Sequence, residues 1–231
     1  MKSAVAVRWA YAGTDPRSQA RNLLRTTAAK ACAARPADVR IGRAVSGRPE
    51  LLGAAAGLCA SVSHTRGVVA VAVTEPHAEL LGIGVDVEAI RPLDAVTLAE
   101  RWFTCGEASW LLALPSALRH VGLLDLWTRK ESAGKAVGLG LAGGGLRRPV
   151  GSPPPGTAPG ASRQLTPLPG NRDLAGAVLP GPPGYVLACA VHGPAAVTTT
   201  AHVTKDRPAP PVGDPHHPCD PRKESEHDAN R

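Results

Sequence analysis

Two short stretches carry residue types able to do phosphate chemistry: Gly82-Ile83-Gly84-Val85-Asp86-Val87-Glu88 and, roughly forty residues later, Trp127-Thr128-Arg129-Lys130-Glu131-Ser132-Ala133-Gly134-Lys135. The first alternates as a strand does, so Asp86 and Glu88 leave on one face. Gly82 and Gly84 share that face and leave space above it. The second reads as a helix. At roughly 100° per residue, Trp127, Lys130, Glu131 and Lys135 fall within an arc of about 140°. Three carboxylates converging with two ammonium groups can hold a hard divalent cation against a polyphosphate. Singly the signals are weak: many strand faces carry a D-x-E by chance, and K-E-x-x-x-K is ordinarily a solvated helix face of ion pairs.

Together, and with two further segments upstream, they become specific. Gly47-Arg48-Pro49 and Ser61-Val62-Ser63-His64-Thr65 precede the strand, so four motifs stand in one order. In this the chain resembles the Sfp-type 4′-phosphopantetheinyl transferases, whose signatures are a G-[IV]-D-[IV]-E strand and a W-x-x-K-E-[AS]-x-x-K helix. The resemblance runs from about Arg21 to Leu141, with a return at Gly184–Ala190. It implies an α+β fold of two similar small α/β lobes related by a pseudo-two-fold axis, with the active site between them. It also implies magnesium-dependent transfer of the 4′-phosphopantetheine arm of coenzyme A to a serine of an acyl or peptidyl carrier protein, releasing 3′,5′-adenosine bisphosphate.

The resemblance distributes roles over this sequence. Asp86, Glu88 and Glu131 become ligands of magnesium, for which manganese can substitute, with Glu88 also able to stand back and pair with a lysine. Lys130 and Lys135 contact phosphate oxygens, Lys130 nearer the chemistry. Glu131 accepts the serine proton, directly or through a metal-bound water, or Glu107 does so from its helix cap. Ser63 and His64 bind coenzyme A phosphates, with the histidine near the 3′-phosphate. Arg48, where the family often has lysine, keeps the charge and adds a bidentate fork. Arg21 matches a further phosphate contact. Trp127 anchors the helix. A module of the same fold that binds coenzyme A or a nucleotide without turnover is the alternative, and intact Asp86, Lys130 and Glu131 count against it.

Composition sets the outer bounds. At 231 residues the chain can bury a core as one or two small domains, and with aromatics at 3% that core must be built from Ala, Val and Leu. The net charge of +7 lies in the body: residues 1–203 hold 21 Lys and Arg against 13 Asp and Glu. A basic body favours anionic partners, whether a phosphorylated cofactor, an acidic carrier protein or nucleic acid. No helix-turn-helix, zinc finger or aromatic-basic strand favours nucleic acid. The five cysteines, Cys32, Cys59, Cys105, Cys189 and Cys219, are odd in number and scattered without a C-x-x-C pair. That argues against a disulfide framework and a zinc site, and for thiols in a reducing compartment. No signal peptide or membrane-length apolar run is visible, so a cytoplasmic monomer is expected.

The elements that must position these residues follow from periodicity. Strands are expected at 4–11, 39–44, 60–63, 68–74, 80–88, 174–179 and 185–192. Helices are expected from Thr14-Asp15-Pro16 through Cys32, from Asp94 to Phe103, from the capping box Thr104-Cys105-Gly106-Glu107 to Leu114, and from about Ser116 to Gly138. A boundary near Glu75-Pro76-His77 divides an N-terminal lobe, 1–76, from a C-terminal lobe, 77–203. Within the latter, 147–172 holds seven prolines and reads as an irregular insertion. Residues 204–231 read as a disordered polar tail.

Overall fold

The computed structural model describes residues 4–75, 79–140, 142, 144–152, 160–194, 196 and 199–206. The expected lobe boundary at 76–77, the Pro-rich centre of the insertion at 153–159, Cys219 and residues 207–231 of the tail lie outside the described residues. The chain is mixed α+β. Strand β1 (Ala4–Tyr11) leads into helix α1 (Pro16–Ala31), and a hairpin of β2 (Val39–Arg43) and β3 (Pro49–Gly53) follows. Next come β4 (Ala60–Thr65), β5 (Val68–Thr74) and β6 (Gly82–Ala89). Helices α2 (Ala95–Trp102), α3 (Cys105–Ala113) and α4 (Ser116–Val137) precede β7 (Thr166–Leu168), β8 (Asn171–Leu179), β9 (Tyr185–His192) and β10 (Thr200–Lys205).

Local chemistry accounts for the helix ends. Asp15 caps α1 by accepting from the Ser18 amide at 3.1 Å, with Pro16 in the first turn where its missing N–H costs nothing. Asp94 caps α2 in the same way, through the Thr97 amide. Thr104 and Glu107 form a reciprocal capping box at α3. Gly138 ends α4 in the left-handed conformation, φ 81°, and the amides of Leu139 and Gly140 fold back on the Gly134 carbonyl.

Two four-stranded sheets result, ordered β10-β1-β5-β4 and β6-β9-β8-β7. In each, the opening strand (β1 or β6) pairs antiparallel with the second strand of a later hairpin (β5 or β9), which pairs with the first (β4 or β8). The sheets share one apolar layer. Val5, Val7, Trp9, Val68, Ala70 and Ala72 from the first meet Ile83, Val85, Val87, Leu187, Cys189 and Val191 from the second. Helices α2, α3 and α4 cover the second sheet's far face, and α1 with the β2–β3 hairpin covers that of the first. Strand β5 is buried at every position because both its faces are covered.

Three strands differ from expectation. β3 and β7 are short and carry Pro or Gly, so their sequences read as turns. β10 carries His202 and Lys205 and pairs parallel with β1, Ala4 opposite Thr200 and Trp9 opposite Lys205. The chain thus returns to the first sheet before residue 203, and residues 204–206 belong to the fold: Asp206 pairs with Arg8, and Lys205 lies over the rings of Trp9 and Tyr11. The stretch 147–172 contains β7 and the first residues of β8 and is not irregular throughout. No helix among the described residues is long and apolar enough to cross a membrane.

The approach of α4 to β6 depends on glycine. A Cβ at Gly82 would stand 2.1 Å from the Ala136 carbonyl oxygen, and one at Gly84 would stand 1.9 Å from that of Ser132. The space left by these glycines is filled by helix backbone, which cannot yield as a side chain would. Gly84→Ala should therefore lower stability by about 2–3 kcal/mol or more, while Gly106→Ala, which meets nothing within 4 Å, should leave it nearly unchanged. Denaturant melts of the two variants make the comparison. Equal midpoints would show that α4 does not sit on β6 at this distance.

Candidate active site

The site forms where the two sheets meet edge to edge. Strand β4 presents Ser61 and Ser63 on one face, and both reach β6: the Val85 amide donates to Ser61 Oγ at 3.0 Å, and Ser63 Oγ donates to Asp86 Oδ1 at 2.8 Å. From the third side, α4 supplies Lys135, whose Nζ donates to the same Asp86 oxygen at 2.7 Å and to the Val85 carbonyl at 3.1 Å. Asp86 is 5% exposed, and its second oxygen, Oδ2, is buried without a partner among the described residues. An unsatisfied buried carboxylate oxygen is costly and wants a cation or donor.

Glu131 and Glu88 complete an acidic cluster around it. Burial raises the proton affinity of both, and the charge of Asp86 raises it further. Glu131 has no hydrogen bond or ion pair to the described residues, so its carboxylate is available. Glu88 is engaged with Arg91 at 3.2 Å. Among the described residues no three His, Cys, Asp or Glu side chains converge as a ready cage. A hard dication fits the donor set differently, through Asp86 Oδ2 and Glu131 with the remaining positions left to water and substrate oxygens, as magnesium is ordinarily held.

Arg48 closes the site from the β2–β3 hairpin. Its guanidinium donates to the carbonyl of Ala136 at 2.8 Å and to that of Lys135, at the C-terminal end of α4, where a cation is favoured. It lies against Gly138, where an added Cβ would be 3.2 Å from its side chain. Arg48, Ser61, Ile83, Lys135 and Gly138 line a cleft of about 220 Å³ between the two halves.

The other expected site residues lie elsewhere. Lys130 is fully buried, its Nζ 2.6 Å from both Glu107 Oε2 and the Arg148 carbonyl and 5.0 Å from the Phe103 ring centre. Burial lowers its pKa. In this structure its ammonium group is directed to Glu107 and the Arg148 carbonyl, and Lys130 does not line the cleft that Lys135 and Arg48 share. Glu107 is 3% exposed and takes four hydrogen bonds: two from Thr104, one from Lys130 and one from the Val150 amide. Both oxygens of Glu107 are thus engaged as a helix cap and as a strap to residue 150, and Glu107 is nearly excluded from water. His64 follows Ser63 and so points to the other face of β4, where it is exposed. Arg21 donates to the Ile41 carbonyl at 2.9 Å and lines, with Arg25 and Arg40, a separate cleft of about 610 Å³.

The four motifs give no role to Ser61, Arg129 and Arg148. The alternation Ser61-x-Ser63 is a signal for the first, since both must share a face. The other two sit in a polar strap with no periodic trace: Arg129 donates to the carbonyls of Val150 and Gly151 and lies 3.6 Å from the buried Asp125.

Comparison with known proteins supports the same class. Residues 82–159 match the family model described as the 4′-phosphopantetheinyl transferase superfamily. The chain is 32% identical over 126 residues to the 4′-phosphopantetheinyl transferase HetI of Nostoc sp., covering 53% of this chain and 51% of that protein. It is 32% identical over 121 residues to a 4′-phosphopantetheinyl transferase of Bacillus subtilis, covering 52% and 50%. A shorter match, 36% over 62 residues, is to 4′-phosphopantetheinyl transferase psf-1 of Bacillus pumilus, covering 27% and 26%. The chain spans about half the length, or less, of these curated relatives. The segment matched to that superfamily, residues 82–159, is the one that holds Asp86, Glu88 and Glu131.

Two outcomes follow from the buried charges. Lys130→Ala should cost about 3–5 kcal/mol, because Glu107 stays buried without its cation, whereas Lys130→Met combined with Glu107→Gln should cost much less. A Lys130→Ala protein as stable as wild type in denaturant, but slow in turnover, would instead place Lys130 in the chemistry. Burial raises the Asp125 pKa from 3.8 to about 6, against the opposing pull of Arg129. Because the folded state binds this proton more tightly, its contribution is undiminished below about pH 4. It declines as pH rises through 4 to 6, and about 3 kcal/mol of stability is absent above that. Asp125→Asn should thus melt higher than wild type at pH 7.5 and alike at pH 4. A gain of equal size at both pH values would contradict the assignment.

Proposed function

We propose that this protein transfers the 4′-phosphopantetheine arm of coenzyme A to a serine of an acyl or peptidyl carrier protein. The observation that carries the proposal is the buried, unpartnered Asp86 Oδ2, in the acidic cluster with Glu131, bound through Lys135 to a cleft that Lys135 and Arg48 line. Two carboxylates behind a cleft lined by two cations suit a dication bound together with a polyphosphate. The matched superfamily supplies the reaction class. The repeated strand connectivity of the two sheets supports reading them as lobes related by a pseudo-two-fold axis.

Asp86 and Glu131 would hold magnesium, which when bound supplies charge neutralisation to the pyrophosphate. Glu88 stands back, turned to Arg91. Lys135 sits on Asp86 and lines the cleft, where its ammonium group would also meet phosphate oxygens. Ser63 fixes the Asp86 carboxylate in place. Arg48 contributes charge to the phosphates from the cleft wall, and the exposed His64 and the Arg21 cleft remain for the adenosine end. Glu131 accepts the serine proton, directly or through a water; Glu107 is held in its cap and strap and does not line the cleft. A basic body suits acidic carrier proteins, and the protein would act as a monomer in the cytoplasm, where coenzyme A is available.

Transfer from fluorescent coenzyme A to apo carrier proteins, read by intact mass, tests the reading. Asp86→Asn and Glu131→Gln should each lower turnover by roughly a hundredfold or more while keeping the fold, and excess chelator should stop the wild type until magnesium is restored. Folded variants with near-normal turnover would rule out the carboxylate site, and activity in excess chelator would rule out the cation. Coenzyme A binding without transfer to any carrier would leave the non-catalytic module as the better reading.

A further inference from the structure

The segment 148–151 is fastened on three sides by groups that never reach the cleft. Lys130 Nζ holds the Arg148 carbonyl at 2.6 Å, Glu107 Oε1 holds the Val150 amide at 2.9 Å, and Arg129 holds the carbonyls of Val150 and Gly151. Its partners, the acceptor Glu107 on α3 and the donors Arg129 and Lys130 on α4, are largely withdrawn from solvent, so the segment cannot shift without losing hydrogen bonds to a buried ion pair. One consequence is the place of the Arg148 side chain. It crosses α4 at Gly134, where a Cβ would stand 2.8 Å from Nη1, and reaches the turn beyond the helix, donating to the Ala142 carbonyl at 3.2 Å. Gly134 is three residues from Glu131, so the guanidinium lies on the same side of the helix as that carboxylate. Burial opposes charge on both groups, and each partly offsets that for the other.

We propose that Arg148 is a positioning residue of the carboxylate cluster: its seated positive charge weakens the binding of a free dication there and strengthens that of the anionic co-substrate, so that the two enter together. Nothing in the four motifs requires this cation. It arises from the strap formed by Glu107, Lys130 and Arg129, which gives the buried lysine of the helix motif a purpose in delivering charge from elsewhere. Charges near a partly buried site are screened less than in bulk water, and a cation on Glu131's side of the helix repels a dication as it attracts a pyrophosphate. The inference rests on the transferase reading for its two ligands, a divalent cation and coenzyme A.

The test uses the full chain. Free Mn²⁺ binding is measured by electron paramagnetic resonance without coenzyme A, and coenzyme A binding by calorimetry without metal. Arg148→Gln keeps donors for the turn carbonyls and removes the charge. It should bind Mn²⁺ roughly three- to tenfold more tightly and coenzyme A roughly three- to tenfold more weakly than wild type. Arg148→Lys should stay within about twofold of wild type for both. Arg148→Met, neutral with a similar stem, must give the same signs as Arg148→Gln and serves if that variant does not fold. A folded neutral variant with unchanged or weaker Mn²⁺ binding would overturn the proposal and leave Arg148 as a support for the turn alone. The Mn²⁺ arm needs neither turnover nor a carrier protein, so failure of the transferase reading and failure of this inference give different results.

Discussion

One carboxylate joins three parts of this structure. Asp86 is carried by β6, receives Ser63 from β4 and Lys135 from α4, and is nearly excluded from water. Removing a carboxylate from water costs several kcal/mol unless partners replace the lost hydration. Two donors meet Oδ1, and among the described residues none meets Oδ2, so the surrounding elements are fixed by a group that is itself only half satisfied. A stable core would be better served by an apolar residue here. Keeping a charge at the seam of two sheets marks a candidate functional site.

The seam is narrow because the elements that form it lack side chains where they touch. Gly82 and Gly84 let the backbone of α4 lie directly on β6, and Gly138 lets Arg48 lie on the end of the same helix. Glycine is conformationally expensive in a strand, and it is retained where another backbone must come close. The close approach brings Lys135 within reach of Asp86 and puts the C-terminal carbonyls of α4 against Arg48. Packing and electrostatics are therefore not separable at this point: the sterics of two glycines decide which charges can meet.

Much of this is legible in the amino-acid sequence. β5 has the bounds that its apolar run predicts, and the caps at Asp15, Asp94 and Thr104 mark the starts of α1, α2 and α3 because capping chemistry is local. The face shared by Asp86 and Glu88 follows from strand alternation. What periodicity misses is non-local. β10 is a polar strand stabilised by pairing with β1, at the opposite end of the fold's sequence, and its polar composition conceals it. The seat of Arg148 is made by side chains from α3 and α4 gripping the backbone of a Pro-rich stretch, which leaves no periodic trace. His64 is next to Ser63 in sequence, yet strand geometry puts neighbours on opposite faces.

The two lysines of the helix motif part company because of the helical angle. Lys130 and Lys135 bound one arc on a helical wheel, but five residues at 100° each set them about 140° apart, too far to meet one neighbour. Lys135 faces β6 and the acidic cluster, and Lys130 faces α3 and the strap. Glu131 lies between, one residue from the strap and one turn from Lys135. A single helix thus carries its architecture on one edge and its electrostatics on the other, with the open carboxylate at the boundary. The arrangement explains why two lysines in one short motif can be unequal to substitution: withdrawing the inner one disturbs a buried pair and the segment it holds, whereas withdrawing the outer one changes the charge at Asp86 and leaves the frame standing.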